Sequence, residues 1–258
     1  QYTQNDFINL INKHNIKFHE KKLGQLFCDE SAQQIIDMLL LECQRANVTL
    51  KKEVTIIDTG KENDQYFIIV GSDKYFSDSL IVATGGLSIP KIGASKLGYQ
   101  IAKKFNLNII ETLPALVPLT FNEQILAMCK ELSGLSLEAI VFFNKTFFQE
   151  GMLFTHKGLS GPSILQISSY WKSGRDIKIN LSPKIDIFKY LESEKKSNPK
   201  YGIKNIISEI LPKRLAFKIC EENNINGNIS ELSNKLLKQL SNTINGWVIN
   251  PTGSKGYR

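Results

Sequence analysis

The sequence predicts a mixed α/β fold (α+β overall), because three successive stretches of the chain carry three different patterns. Helical and strand patterns alternate over residues 1–115, strand patterns dominate residues 116–183, and helical, lysine-rich patterns fill residues 184–240. Residues 241–258 contain one further strand, which we expect to return towards the first stretch. We therefore predict a first domain, a small barrel-like part, a helical subdomain and a return strand with these boundaries.

The composition is that of a soluble globular protein. The chain has 258 residues, of which 42% are hydrophobic and 22% are charged. Its apolar runs all fall short of the roughly 20 residues that a membrane span needs, and its polar start excludes a signal peptide. We therefore expect a cytoplasmic protein without a membrane partner. Because the chain begins with Gln1 and ends in a glycine-rich segment, we also expect a piece of a longer protein.

Four cysteines and three histidines limit the metal and redox chemistry of the chain. The cysteines form no CxxC pair, which argues against a zinc site and against a disulfide framework. We predict no metal site.

Helices are predicted where apolar residues recur three and four apart, and strands where apolar runs are short or alternating. In the first stretch these are a helix at 4–14, a hairpin at 18–27 around Lys21-Lys22, a helix at 31–46, strands at 48–57, 66–70 and 75–82 with a turn at 59–64, and a helix at 97–105. The later stretches contain predicted strands at 119–121, 137–143, 146–154, 177–181 and 247–249, a helix at 159–169, and three or four short helices between 186 and 240.

A glycine turn after an apolar run is the first candidate for a ligand site. The run from Ser79 to Val82 predicts a strand buried on both faces, and it ends in Ala83-Thr84-Gly85-Gly86. Small residues at the end of a strand let the backbone approach a flat, two-phosphate cofactor. The alternative is an ordinary tight turn after a core strand.

The glycines that follow do not form a known nucleotide loop. Gly93 precedes the predicted helix at 97–105 and Gly98 lies in its first turn, where free N–H groups favour anions. Tyr99 stands where a P-loop would have lysine, and the chain contains no G-x-G-x-x-G. A free-standing nucleotide-binding domain is therefore not indicated by these residues.

Four segments together resemble a known family. They are Gly24-Gln25-Leu26-Phe27-Cys28, the run from Ala83 to Ala94, Pro114-Ala115-Leu116-Val117-Pro118-Leu119, and the run from Leu153 through His156 to Pro162. In this order they are similar to segments of bacterial NAD(P)/FAD-dependent oxidoreductases, the aminoacetone-oxidase-like or bile-acid-reductase-like flavoproteins. The resemblance covers essentially the whole chain.

The resemblance implies part of a glutathione-reductase-like FAD domain that is interrupted by a β-barrel and a helical subdomain. It implies a flavin-dependent oxidoreductase with a small-molecule substrate and NAD(P)H as reductant, and an oxidase that uses O₂ is also consistent with the family. The cofactor contacts that it implies are adenine at the backbone of Val54, the FAD phosphates and ribose beside Ala83, Thr84, Gly85 and Gly86, and the flavin near Gln25. Because the family's N-terminal glycine-rich loop would precede Gln1, we expect the chain alone to bind FAD weakly or not at all and to be inactive.

His156 is the candidate catalytic residue. It follows an apolar strand and precedes a predicted helix start at Ser160, which would favour the neutral ring. A neutral imidazole could act as acid, base or hydrogen-bond donor towards substrate. Alternatively, His156 orders the turn at Gly158–Pro162, and Ser160 is an N-cap rather than a nucleophile.

A basic run supports an alternative function. Between Lys184 and Lys218 there are nine basic and four acidic residues, and such a run can bind nucleic acid or form a solvated helical face. Aromatic residues do not interleave with these lysines as they do in proteins that bind single strands. We therefore expect no nucleic-acid partner, and we keep a nucleic-acid-associated module and a catalytically silent scaffold as alternatives.

Overall fold

A computed structural model describes residues 1–21, 24–90 and 93–257, and it shows a mixture of helices and antiparallel sheets. The predicted α/β class with a strand-rich part and a helical part is confirmed. The chain divides into two compact units, residues 1–81 and 82–258. Lys22 of the predicted hairpin turn, and Lys91 and Ile92 of the glycine segment, lie outside the described residues.

The first unit contains two helices, a hairpin and a three-stranded sheet. Its elements are α1 (Gln4–Lys13), β1 (Phe18–Glu20), β2 (Leu26–Cys28), α2 (Gln33–Arg45), β3 (Ile56–Glu62), β4 (Gln65–Val70) and β5 (Asp73–Ser77). Helix α1 begins with a capping box, in which Thr3 and Asp6 each bond the other's backbone N–H. A small core of Ile11, Ile16 and Met38 joins the helices to the hairpin. The predicted helices and the hairpin are confirmed.

The three-stranded sheet corrects two predictions. The predicted strand 48–57 is wrong over most of its length, because β3 begins only at Ile56, and the predicted turn at 59–64 shrinks to Asn63-Asp64. Both turn residues have positive φ, at 47° and 65°, which is the conformation that a two-residue hairpin needs. Gly60 lies opposite Phe67, whose ring occupies the space of a side chain at position 60. The contact between Gly60 and the Phe67 ring thus fixes the register of β3 against β4.

The predicted strand 75–82 is also wrong beyond Ser77, where β5 ends. Ile81 is 88% exposed and Val82 is 43% exposed, so this apolar run is not buried. Strands are stable only when neighbours take up their backbone hydrogen bonds. Among the described residues, no strand pairs with residues 79–86.

The second unit contains one larger sheet and most of the helices. Its elements are α3 (Leu97–Lys104), β6 (Leu119–Thr120), α4 (Glu123–Glu131), β7 (Ser136–Phe143), β8 (Thr146–Thr155), β9 (Gly158–Ser160), α5 (Pro162–Ser168), β10 (Ile177–Asn180), α6 (Ile187–Ser197), α7 (Ile203–Ser208), α8 (Lys213–Glu222), α9 (Asn234–Asn245), β11 (Trp247–Ile249) and β12 (Gly253–Ser254). The sequence predicted five of these strands, β6, β7, β8, β10 and β11, and the helical region well.

The sheet of the second unit has the order β11-β10-β7-β8-β9-β6-β12, and every neighbouring pair is antiparallel. The long hairpin β7–β8 turns at Asn144, which has a φ of 53°. The predicted helix 159–169 begins only at Pro162, because Gly158–Ser160 forms β9 beside β6 and β8. Helix α4, which Asn122 caps, was not predicted.

One face of this sheet and the helices share a continuous core. Alternate residues of β10, Ile177 and Ile179, are fully buried, and Phe154 of β8 and Leu237 of α9 join them. Each such side chain contributes about 1.5–3 kcal/mol by burial. The core therefore ties the helical region to the sheet. The domain boundaries drawn from the sequence stay a prediction. Within the described ranges, no helix is long and apolar enough to cross a membrane.

Candidate functional site

The glycine segment 83–86 lies beside helix α3. A side chain at Gly98 would come within 2.9 Å of the Thr84 hydroxyl and 3.6 Å of Val82, so the glycine allows the segment to pack directly on the helix. Gly86 lies near the Tyr99 hydroxyl, at 3.7 Å from the position of a Cβ. Residues 83–86 and the first turn of α3 thus form one continuous surface, which we call the wall.

Two observations fit this wall to a dinucleotide cofactor. The Thr84 hydroxyl is buried and has no hydrogen-bond partner among the described residues, although buried hydroxyls in proteins are normally bonded. Ala83 and Gly85 are exposed, and Gly85 has a φ of 72°, so backbone rather than side chain is presented there. The wall therefore presents exposed backbone at Ala83 and Gly85 beside a buried hydroxyl that has no partner among the described residues.

The other predicted cofactor residues belong to the first unit, whereas Ala83, Thr84, Gly85 and Gly86 belong to the second. Val54 is 45% exposed and stands two residues before β3. Gln25 is exposed in the turn between β1 and β2. Their roles stay predictions.

His156 occupies the turn between β8 and β9 and is exposed. Thr155 orders this turn: its hydroxyl donates to the Gly158 carbonyl at 2.9 Å and accepts from the Lys157 N–H at 3.2 Å. The predicted N-cap at Ser160 is wrong, because α5 is preceded by Gly161, with a φ of 91°. The catalytic role of His156 stays a prediction.

The two glycines of the same segment have a packing role. A Cβ at Gly158 would lie 2.2 Å from the Leu119 carbonyl oxygen, and one at Gly161 would lie 2.7 Å from the Gly151 carbonyl oxygen. Real Cβ atoms do not approach so closely. The presence of these two glycines is thus explained by sheet packing.

The basic run Lys184–Lys218 does not form a single free positive surface. Several of its cations have partners: Lys189 pairs with Asp186 at 3.8 Å, Lys204 with Glu221 at 3.6 Å, and Lys218 with Glu131 at 2.7 Å and Glu222 at 3.2 Å. The bond to Glu131 is the main reason that the pKa of Lys218 is raised. Lys195 and Arg214 donate to the carbonyls of Leu232 and Glu131.

A groove between α9 and the strand β10 gathers lysines that the run did not predict. Lys178 and Lys238 line it together with Lys184, and its volume is about 550 Å³. Asn245 fixes one side of this groove by hydrogen bonds. Its side-chain amide donates to Asn180 and to the carbonyls of Ser182 and Ile185, and it accepts from the Ile187 N–H. The sequence signal that we missed is the helical spacing of Lys235, Lys238, Asn242 and Asn245.

Nucleophilic and metal chemistry find little support elsewhere. Burial raises the pKa of Cys129 to about 12 and that of Cys220 to about 11, so these thiols stay protonated. In the described part of the chain, no group of three or more His, Cys, Asp or Glu side chains could hold a metal ion.

Residues 113–258 match the family model described as HI0933-like protein barrel and H2TH domain. The chain belongs to this HI0933-like family. It is 40% identical over its whole length to the ribosomal RNA dihydrouridine synthase of Escherichia coli (strain K12), of which it covers 65%. It is 38% identical, again over its whole length, to the ribosomal RNA dihydrouridine synthase of Haemophilus influenzae, of which it covers 66%.

A more distant relative is the 3-dehydro-bile acid delta(4,6)-reductase of Clostridium scindens, which is 20% identical over 77% of the chain and 51% of the relative. The chain thus spans about two thirds of the length of the two nearer relatives and half of the third. The relatives are enzymes, and the family lies within the FAD-dependent oxidoreductase superfamily, so the predicted flavoprotein relationship holds at this level.

Two predictions require correction. The nearer relatives carry the name of rRNA-modifying enzymes and not of aminoacetone oxidases, so that part of the resemblance was too narrow. The expectation of no nucleic-acid partner is wrong, because these same relatives are named for ribosomal RNA. That expectation was drawn only from the basic run Lys184–Lys218 and did not consider lysines that the fold brings together from different elements.

Proposed function

We propose that the protein containing this chain is a flavin-linked enzyme that reduces uridine in ribosomal RNA to dihydrouridine. The observation that carries this proposal is the 40% and 38% identity, over the whole chain, to two relatives named for this activity. The groove lined by Lys178, Lys184 and Lys238 supports it, since a polyanion needs such cations. This substrate replaces the small molecule expected from the sequence.

The reaction saturates one double bond. A hydride and a proton add across the C5–C6 bond of uracil, so that uridine gains two electrons and becomes dihydrouridine. FAD, when bound, would supply the hydride chemistry for this addition, and a nicotinamide cofactor, NAD(P)H, is the proposed source of the two electrons. The uracil must leave any base stack before it can meet the reductant.

The residues of the chain have proposed roles in this scheme. The segment Ala83 to Gly86 would hold FAD at its phosphates and ribose, with the Thr84 hydroxyl as the polar contact. Val54 would meet the adenine by its backbone and Gln25 would lie near the flavin. His156 is the proposed proton donor to the base, because it is exposed in the turn between β8 and β9 and an imidazole can act as a general acid.

The test is reconstitution with the gene product that contains the chain. Purified protein, FAD and NAD(P)H are incubated with ribosomal RNA from an Escherichia coli strain that lacks the 40% identical relative, and nucleosides are analysed by mass spectrometry. We expect dihydrouridine to appear, two mass units above uridine. Flavin-loaded protein that consumes NAD(P)H with a small enone but leaves the RNA unreduced would contradict the proposal.

The chain of 258 residues alone gives a second readout. We expect it to bind FAD weakly or not at all, and the visible absorption spectrum of the purified chain measures this directly. A stoichiometric flavin spectrum would contradict this expectation without affecting the proposed reaction.

A further inference from the structure

The second unit carries a row of side chains across the outward face of its large sheet. Strand registers place Val248 opposite Lys178, Lys178 opposite Phe142, and Phe142 opposite Phe147. Directly paired residues point to the same face of a sheet. With strands about 4.8 Å apart, the row is about 14 Å long. We call these four residues the sheet row.

The sheet row is accessible and partly aromatic. Phe147 is 58% exposed and Val248 is 57% exposed, Lys178 is exposed, and Phe142 is half-buried. The rings of Phe142 and Phe147 lie with centroids 5.7 Å apart and planes 37° apart. Their inward neighbours in β7, Val141 and Phe143, are buried. The core therefore anchors the strands while the two rings stay free to meet a ligand.

Helix α9 carries a polar stripe that meets one end of this row. Lys235, Lys238, Asn242 and Asn245 are spaced three, four and three residues apart, so they share one helix face. Lys238 and Asn242 line the groove beside Lys178 and a second groove beside Val248. The two features meet at Gly246, where a Cβ would lie 2.9 Å from Cε of Lys178. We call these four residues the α9 stripe.

In the part of the chain that the structure describes, the lysines of this surface are not paired with carboxylates, and Lys238 lies over the Phe188 ring, with its Nζ 4.7 Å from the ring centroid. Among the described residues, no carboxylate lies within 4.0 Å of the ammonium groups of Lys178, Lys184, Lys235 or Lys238, in contrast to Lys204 and Lys218. Asp186 lines the same groove, but its carboxylate accepts from the Lys189 N–H and pairs with the Lys189 side chain. Lysines that lack carboxylate partners and lie beside exposed rings are complementary to a ligand that has both phosphates and bases.

We infer that the sheet row and the α9 stripe bind unpaired RNA. This inference rests on the proposed function and assigns the RNA to a surface. Bases stack on Phe142 and Phe147, and the sugar-phosphate backbone follows Lys178, Lys238 and Lys235 along α9. Unpaired RNA fits better than a duplex, because only splayed bases offer their faces to the rings.

The test is equilibrium binding of a fluorescent oligouridine of twelve nucleotides to the 258-residue chain, measured by anisotropy at several salt concentrations. The double variant K178Q/K238Q should weaken binding roughly tenfold and flatten the slope of log K against log salt by about 1.4, since each phosphate contact on a single strand contributes about 0.7. The matched control K196Q/K200Q removes the same charge from exposed lysines at and beyond the end of α6, and it should leave affinity within about twofold.

The aromatic part is tested separately. Phe147→Ala should weaken binding by about tenfold, as loss of one stacked base does, and Phe147→Tyr should retain it. Tyr170→Ala removes another exposed ring, which packs on Phe148, a residue that points to the opposite face of β8 from Phe147, and it serves as the control. Equal losses in the row variants and their controls would overturn the inference, as would equal affinity for a twelve-base-pair RNA duplex or no binding of oligouridine at low salt.

The outcomes separate this inference from the proposed function. If the reconstituted protein reduces ribosomal RNA and K178Q/K238Q leaves its KM for RNA unchanged, the assigned surface is wrong and the reaction stands. If the chain binds oligouridine through this surface and the RNA is never reduced, the surface stands and the proposed reaction is wrong.

Discussion

Residues 1–117 and residues 118–257 differ in how completely they bury their apolar side chains. In the first region a small cluster around Ile11 and Met38 is buried, while Ile81, Ile110 and Leu113 are 88%, 83% and 74% exposed. In the second region apolar residues from β6 to β11 share one core, and most are fully buried. An apolar run thus becomes core only where the fold supplies a neighbour for it.

The largest expected effect is a loss of stability caused by one substitution in the well-packed region, residues 118–257. Gly158→Ala should lower the free energy of unfolding by about 4 kcal/mol or more, because its Cβ would overlap the Leu119 carbonyl oxygen. Gly174→Ala is the control: that glycine also has positive φ but has open space around it, so the cost should be about 1 kcal/mol. Urea unfolding of both variants measures the difference, and equal losses would show that φ alone matters.

Asn245→Ala should have the next largest effect, about 3 kcal/mol, because it leaves the Ile187 N–H and two carbonyls without their partner. Asn242→Ala, on the same stripe but exposed, should change stability by less than about 0.5 kcal/mol. Hydrogen exchange at the Ile187 amide locates the effect. Unchanged protection of this amide in Asn245→Ala would contradict the bracing role of Asn245.

A smaller and opposite effect is expected in the loosely packed region. Thr84→Val keeps the shape of a side chain whose buried hydroxyl has no partner among the described residues, so the chain should gain about 1 kcal/mol. The same change should reduce FAD retention in the protein that contains the chain. Thermal unfolding and flavin content are the two readouts, and Thr84→Ser, which keeps the hydroxyl, is the control. Lower stability in Thr84→Val would show that the hydroxyl is bonded after all.

The smallest effect concerns acid sensitivity of the first unit. The hydrogen bond from His14, and then that from Arg45, lower the pKa of Glu42 below its usual value. A lowered folded-state pKa gives stability that is present above the unfolded pKa and is lost as pH falls through the folded pKa. Glu42→Gln should therefore reduce the loss of α1–α2 protection that occurs as the pH falls below the ordinary pKa of a glutamate, whereas Glu20→Gln should not.

Sequence patterns predicted elements best where the deciding contacts are local. Hairpin β7–β8 was found almost residue for residue, because its strands are apolar and Asn144 marks the turn. Helix α4 was missed although Asn122 offered an N-cap, since its apolar residues lie next to proline-rich and strand-like segments. The run at 79–82 failed for a different reason: burial of a strand depends on partners that a local pattern does not contain.

The candidate sites show the same limit. Thr84 and Gly98 were both noted in the sequence, but their contact depends on how the segment packs on α3. The sheet row could not be predicted, because Lys178 and Phe142 are neighbours only through the register of two strands far apart in the chain. The α9 stripe, in contrast, could have been predicted from the sequence, because its residues are spaced three and four apart.

The ends of residues 118–255 lie side by side. Strand β12 pairs with β6, the Thr252 N–H donates to the Thr120 carbonyl at 2.8 Å, and the Lys255 N–H donates to the Pro118 carbonyl at 3.0 Å. The two ends of this segment are as close together as the ends of a short surface loop, and this distance does not depend on how many residues lie between them. Because both ends of this segment lie together, the sheet row and the α9 stripe can change in sequence without altering the geometry of the chain at the junction.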